Sequence, residues 1–396
     1  MLQPRADHSS GMSLVPPWGI PIAYAIAVLA RSSIIIVVPT LAYQDLGETS
    51  LVSAIYLGAS LIGLLGGVAL SAALQTLGPW RLLLIASLAG LAAAVLFCIR
   101  DPVALIAGLT LHLFMVQFFE AATNVYALNA IPRLHFSRFE PRRILLTGVA
   151  YILGPLAGGW LIQYGSFYLP FVLSGVCALL VPVCMARVLR ATPTLVRPPK
   201  FARATGGVAV REFFRNPRLR LAWVLAVGRA GWWQMFFVYM PILIVTGGVG
   251  VAHAGTLAGI ASGVLLLAPL WGLVLRLVGM RRLFFVSYAV CGTATAVAGL
   301  LVDISFGLAA LALIVAAVAV SAIDSAGNAP FMRALRSREQ MRMVPIYNTY
   351  REMSQIVPSA VYAIILTAFS LPSVFLVTGI ALAILATACL KLPRRA

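Results

Sequence analysis

The sequence predicts an all-α membrane protein that crosses the bilayer about twelve times, as two six-helix bundles related by a pseudo-two-fold axis. Three observations carry that expectation: a scarcity of charge, the recurrence of apolar stretches, and a one-sided placement of arginines.

Of the 396 residues, 61% are hydrophobic and only 10% are Asp, Glu, Lys or Arg. A soluble domain carries roughly a quarter charged residues. So few charges do not coat a water-exposed surface of this size, and the lipid bilayer is the solvent that fits.

Apolar stretches long enough to span, roughly 20 residues each, recur along the chain. They fall at 18–42, 51–76, 80–99, 103–131, 144–164, 167–187, 219–246, 252–275, 281–302, 304–331, 344–368 and 371–390. The first is too long, and too interrupted by Arg31, for a cleaved leader. It is read as a retained anchor.

The net charge of +18 raises the question of nucleic acid, and the placement of the charges answers it. With the amino terminus inside, the cytoplasmic segments hold 25 of the 29 Lys and Arg residues, among them Arg81, Arg133, Arg142, Arg218, Arg281, Arg282 and Arg333. The outer loops hold only Arg100, beside Asp45, Glu48, Asp101 and Asp303. This is the positive-inside pattern. It places both termini in the cytoplasm and makes contact with anionic lipid heads expected; no nucleic-acid partner is expected. The scarcity of Lys among the basic residues, with abundant Ala and Leu, points to a GC-rich bacterium and hence to its inner membrane.

The five cysteines, at 98, 177, 184, 291 and 389, lie in or at the ends of apolar spans without metal-ligand spacing, and are read as small packing residues. No metal and no cofactor are expected. No glycine-rich nucleotide loop ending in Lys is present, which argues against ATP-driven work by this chain alone.

Every loop is short except 188–217, which holds three prolines before Lys200 and a run of basic residues. It reads as a cytoplasmic linker between an N-terminal bundle, 1–187, and a C-terminal bundle, 218–396. Its last part, Val210 to Arg215, fits a short helix lying on the membrane surface. The halves echo one another. Gly78-Pro-Trp-Arg81 is matched by Gly279-Met-Arg-Arg282, Glu120…Asn124 by Asp324…Asn328, Pro155 by Pro358 and Arg31 by Arg229. Their offsets, 201, 204, 203 and 198 residues, are nearly one number. Such internal repeats are how many transporters are built.

Six plus six helices, both termini inside and a long basic central loop resemble the major facilitator superfamily over essentially the whole chain. The loop after span two, with Ser71, Gln75, Gly78 and Arg81, and that after span eight, with Gly272, Arg276, Gly279, Arg281 and Arg282, are similar to the family's Gly-x-x-x-Asp-x-x-Gly-x-basic-basic pattern. Neither keeps the acid. Span five, with Gly148, Gly154, Pro155, Gly158 and Gly159, resembles the Gly-Pro-x-x-Gly motif of the family's exporters. Glycines four apart let another helix approach closely, and Pro155 removes a backbone hydrogen bond. The family's proton antiporters tend to carry Arg in span four; Phe114 stands there in this chain.

Six ionisable residues fall inside the spans: Arg31, Arg229 and Arg351 against Glu120, Asp324 and Glu352. Left unpaired they would together cost on the order of 15–20 kcal/mol on insertion scales, so they must pair or face water. The resemblance implies that spans one, four, seven and ten line a central cavity. Two mirrored pairs are therefore expected at its floor, Arg31 with Glu120 and Arg229 with Asp324. Intramembrane charges mark function more often than mere bracing, though bracing stays open.

Asn124 and Asn328 follow the two acids by four residues, one helical turn on the same face; Gln117 precedes Glu120 by nearly a turn. Trp232, Trp233, Gln234 and Tyr239 follow Arg229 and offer aromatic faces to a substrate, or fill the core. His112, on the outer side of span four, is read as a packing residue. Arg351 and Glu352 open span eleven as a cytoplasmic gate contact or as capping charges.

The leading functional class is a carrier, expected to act as a monomer, that moves a small organic solute outward with protons. An importer of an anionic nutrient is second. A polytopic glycosyltransferase is disfavoured, because no outer loop is large enough to hold donor and acceptor.

Overall fold

The computed structural model describes residues 18–131, 136–191, 207–335 and 340–392, and these are helical nearly throughout. Among the described residues, eleven helical segments are long and apolar enough to cross a membrane: Gly19–Leu46, Thr49–Gly67, Ala73–Phe97, Pro102–Ala127, Phe139–Gly165, Leu169–Ala191, Pro217–Thr246, Val251–Val278, Met280–Leu301, Phe306–Ala334 and Pro372–Cys389. They are spans one to ten and twelve. Span eleven is two shorter helices, Gln340–Asn348 and Tyr350–Ile365, meeting at Thr349. The protein is an integral membrane protein, and its apolar rim fits lipid: Val103, Leu88 and Ile364 stand well exposed.

The expected spans are thus present, with differences that have local causes. Span one is broken, its helices Gly19–Ser32 and Val37–Leu46 separated by a turn. Spans two and three run together through a sharp bend at Gly78 (φ 75°, ψ 165°), with Pro79 starting the next turn. Gly279, the matching residue between spans eight and nine, has nearly the same backbone (φ 80°, ψ 158°). Only glycine takes such a conformation without strain, so the repeat read in the sequence recurs as one local geometry. Span four starts cleanly because Asp101 accepts hydrogen bonds from Val103 N (2.9 Å) and Ala104 N (3.0 Å), an N-cap followed by proline.

The segment 192–206 of the expected linker lies outside the described residues. The end of that linker forms a helix, Gly207–Arg215, docked on the second bundle. Phe213 is fully buried, in one apolar cluster with Leu219, Phe331 and Tyr347.

Spans one to six pack among themselves, as do spans seven to twelve. The halves meet where span two touches span eleven, span five touches span eight, and the second helix of span one touches span seven. Moving each span by six positions exchanges the first two contacts and returns the third, as a two-fold axis requires. Spans four and ten, related to each other by the same operation, are not in extensive contact among the described residues.

Span five is wedged between spans one and eight at backbone distance. A Cβ on Gly154 would stand 1.9 Å from Ser32 Oγ, and one on Gly158 1.9 Å from the Ser33 carbonyl oxygen. On the adjoining side a Cβ on Gly159 would meet Val251 O at 2.8 Å, and one on Gly255 would meet Pro155 O at 2.4 Å. Ser32 Oγ donates to Ala150 O (2.9 Å), so the broken turn of span one is stitched to span five. Gly148 takes a different neighbour, the Leu266 side chain of span eight. The spacing of small residues is therefore a packing code.

Candidate functional site

The second expected ion pair is present. Arg229 Nε lies 3.2 Å from Asp324 Oδ1. Arg229 is only 8% exposed, and a guanidinium that far from water needs a counter-charge. The face of Tyr350 lies 5.7 Å from Arg229 Cζ, and Trp233 Nε1 donates to Asp324 Oδ2 (2.7 Å). Spans seven, ten and eleven thus close one polar cluster within the second half.

The first expected pair is not formed. Glu120 of span four is held by Arg351 of span eleven. This pair crosses from one half to the other, and both side chains are partly open, at 39% and 51% exposure. Arg31 has no ion-pair or hydrogen-bond partner among the described residues. Depth in the membrane is legible from sequence; rotation about the helix axis is not, and it is rotation that decides which arginine meets Glu120. The capping alternative for Arg351 gives way to a contact between halves.

Glu352 lies against span two: a Cβ on Gly67 would come 3.6 Å from its Oε1 and 3.8 Å from Gln117 Oε1. Gln117 Nε2 donates to Gly63 O (3.2 Å), while its Oε1 is buried with no partner. Asn124 accepts a hydrogen bond from Tyr24 of span one. Asn328 accepts from Tyr347 OH (3.1 Å), but it is not one regular turn beyond Asp324. The helix stops at Ala326, Gly327 turns with φ 53°, and Asn328 starts a new short helix.

The two tryptophans part company. Trp233 belongs to the charged cluster, whereas Trp232 is fully buried and donates to Thr295 Oγ1 of span nine (2.8 Å). Trp232 is therefore core, contrary to its expected place along the path. Gln234 is partly buried and makes no hydrogen bond among the described residues. Tyr239 joins the halves, its hydroxyl 2.6 Å from Ser53 Oγ of span two. Arg81 and Arg282 stand exposed and Arg281 partly so. None has an ion pair among the described residues.

Sequence reasoning did not find Tyr24 or Ser53. A signal existed for Tyr24: it precedes Arg31 by seven residues, two turns on one face. A cleft of about 720 Å³ opens away from these charges, at the end bearing Glu48 and Asp303, lined also by Tyr43, Thr246 and Thr367.

A family model described as the Major Facilitator Superfamily matches residues 21–357. The chain belongs to the Major Facilitator Superfamily. A search of curated proteins found no match. Among solved structures, this superfamily member is similar to a POT family transporter in complex with 5-aminolevulinic acid. The TM-score is 0.76 at 10% identity, covering 93% of this chain and 95% of that one. A variant of the nucleoside transporter NupG gives 0.73 at 15% identity, covering 94% and 98%. The peptide transporter POT, as a variant in complex with alafosfalin, gives 0.71 at 13% identity, covering 98% and 95%. At such identities the likeness is one of fold. Membership of the superfamily makes the protein a transporter of small solutes rather than an enzyme.

Proposed function

We propose that this superfamily member is a secondary carrier that moves a small organic solute by alternating access, coupled to protons and directed outward. The observation that carries the reading is the Glu120–Arg351 pair, an ion pair between the halves rather than within one. A charge pair that must break when the halves separate is a two-state contact, and substrate or a proton on Glu120 biases it. The path runs between the halves past Arg31, Gln117, Glu120, Asn124, Arg229, Trp233, Gln234, Asp324 and Asn328. Arg351 and Glu352 form the gate at its basic end. That end faces the cytoplasm by the arginine count, in a bacterial inner membrane. The bundles are bounded by the 188–217 linker, and the protein works as a monomer in the lipid bilayer. Outward direction is supported by the exporter-like glycines of span five. Import of an anionic solute is the second reading, favoured by Arg31, a path arginine without a carboxylate partner among the described residues.

The test is solute flux in proteoliposomes under an imposed proton gradient, in both orientations of the gradient. Expected is counterflow of one solute class, driven against its own gradient by inward-directed protons. Flux indifferent to the proton gradient would remove the coupling, and accumulation running with inward protons would reverse the direction.

A further inference from the structure

The helix Gly207–Arg215 ends the basic segment between spans six and seven, and its two neighbouring aromatic residues start two chains of contact. Phe213 is fully buried, its ring centroid 6.4 Å from that of Phe331, just beyond span ten's turn at Gly327. Phe331 stacks on Tyr347, with centroids 4.0 Å and planes 10° apart. Tyr347 lies in Gln340–Asn348, the first helix of span eleven. Phe214 meets Trp223 of span seven edge to face, with centroids 5.4 Å apart. Trp223 Nε1 donates to Thr349 Oγ1 (3.1 Å), and that hydroxyl donates in turn to Ile346 O (2.7 Å).

Both chains therefore end at the break of span eleven, where the second helix, Tyr350–Ile365, begins. Arg351 is the second residue of that helix, and it reaches across to Glu120. In an unbroken helix the preceding turn fixes the direction of each side chain. At a break the direction is set by whatever side chains hold the two pieces. Here they are the Tyr347 ring and the Thr349 hydroxyl, and both lead back to one short helix.

We propose that Phe213, Phe214 and Trp223 are positioning residues for the Glu120–Arg351 pair. They set the angle at Thr349 that carries the Arg351 guanidinium to the first half. The segment that links the halves along the chain thereby also sets the ion pair that links them in space. A shift of Gly207–Arg215 loosens the gate without touching either of its charges. The inference rests on the reading of that pair as a gate, and on neither the solute nor the direction of transport.

The test needs no solute. Arg187 and Lys391, at the inner ends of spans six and twelve, stand exposed. R187C and K391C carry spin labels in full-length protein whose five native cysteines are replaced by alanine, reconstituted in lipid vesicles. Double electron–electron resonance then reads the distance between the inner ends of the two halves. R351Q is expected to move population from the short to the long distance. W223F, which keeps the ring but loses the donor, is expected to move it the same way, as are T349V and F214L. The ratio of long to short should rise about two- to tenfold, the worth of one hydrogen bond. T349S, which keeps the hydroxyl, is expected to match wild type. Added to R351Q, W223F is expected to change nothing more, because a positioning residue has no effect once the group it positions is gone. An unchanged distribution in W223F and F214L overturns the proposal. So does an equal shift with and without Arg351, or a T349S shift as large as that of T349V. If R351Q itself leaves the distances unchanged, the gate reading falls and takes the positioning role with it. If R351Q shifts them while W223F and F214L do not, the positioning role alone falls.

Discussion

Arg351 of span eleven holds Glu120 of span four, and so the acid that the repeat matches to Asp324 is used differently in the two halves. Asp324 meets Arg229 within its own bundle. Glu120 meets an arginine from the other.

The open pair is expected to matter for transport more than for stability. Its side chains are 39% and 51% exposed, and exposed pairs contribute only about 0–1 kcal/mol. E120Q and R351Q should each melt within a few degrees of wild type yet lose at least about tenfold in proteoliposome flux. The charge-reversed double variant E120R/R351E should recover part of that flux. Full activity in E120Q would separate the pair from the transport cycle.

The closed pair is expected to behave in the opposite way. D324N leaves Arg229, 8% exposed, without its counter-charge, a change that costs about 3–5 kcal/mol when an ion pair is truly buried. Size-exclusion profiles and melting of D324N should show a large loss of folded protein. R229M/D324L, which removes both charges, should recover much of the stability without recovering flux.

Glycines of span five should be intolerant in proportion to what their Cβ would strike. On Gly158 it would meet a backbone carbonyl at 1.9 Å; on Gly154 it would meet the Ser32 hydroxyl at 1.9 Å and backbone only at 2.8 Å. Overpacking of this kind costs about 1–3 kcal/mol, sometimes more. Melting temperatures should fall in the order G158A, then G154A, with G58A unaffected because nothing lies within 4 Å of that position.

Replacement of either bend glycine forces a side chain into a glycine-only conformation. G78A and G279A should each lose about 1–3 kcal/mol. The two positions sit in different halves, so the losses should add in the double variant. Denaturant or thermal unfolding of the three variants checks both points, and a double variant no worse than either single one would show the sites to be coupled.

Much of this architecture is legible in the chain because bilayer physics writes it there. Apolar length marks the spans, and the offset of about 200 residues marks the halves. The four-residue spacing of Gly154 and Gly158 marks a close helix contact that the structure bears out atom by atom. The site was legible only in part. Hydropathy sets Arg31 and Glu120 inside the spans but says nothing of azimuth, and the expected partner of Glu120 therefore lies on the wrong helix. Trp232 and Trp233 are neighbours in sequence but about 100° apart on a helix. One therefore reaches span nine and the other Asp324, a division that no composition reveals. Span eleven breaks at Thr349, whose hydroxyl accepts from Trp223 Nε1 (3.1 Å), a tertiary contact with no mark in the local sequence.

The near-identical backbone at Gly78 and Gly279 makes each bend a self-contained cassette. Exchanging Gly78–Arg81 for Gly279–Arg282 should therefore yield a chimera that still inserts and folds, its hairpins unaware of which parent supplied the elbow.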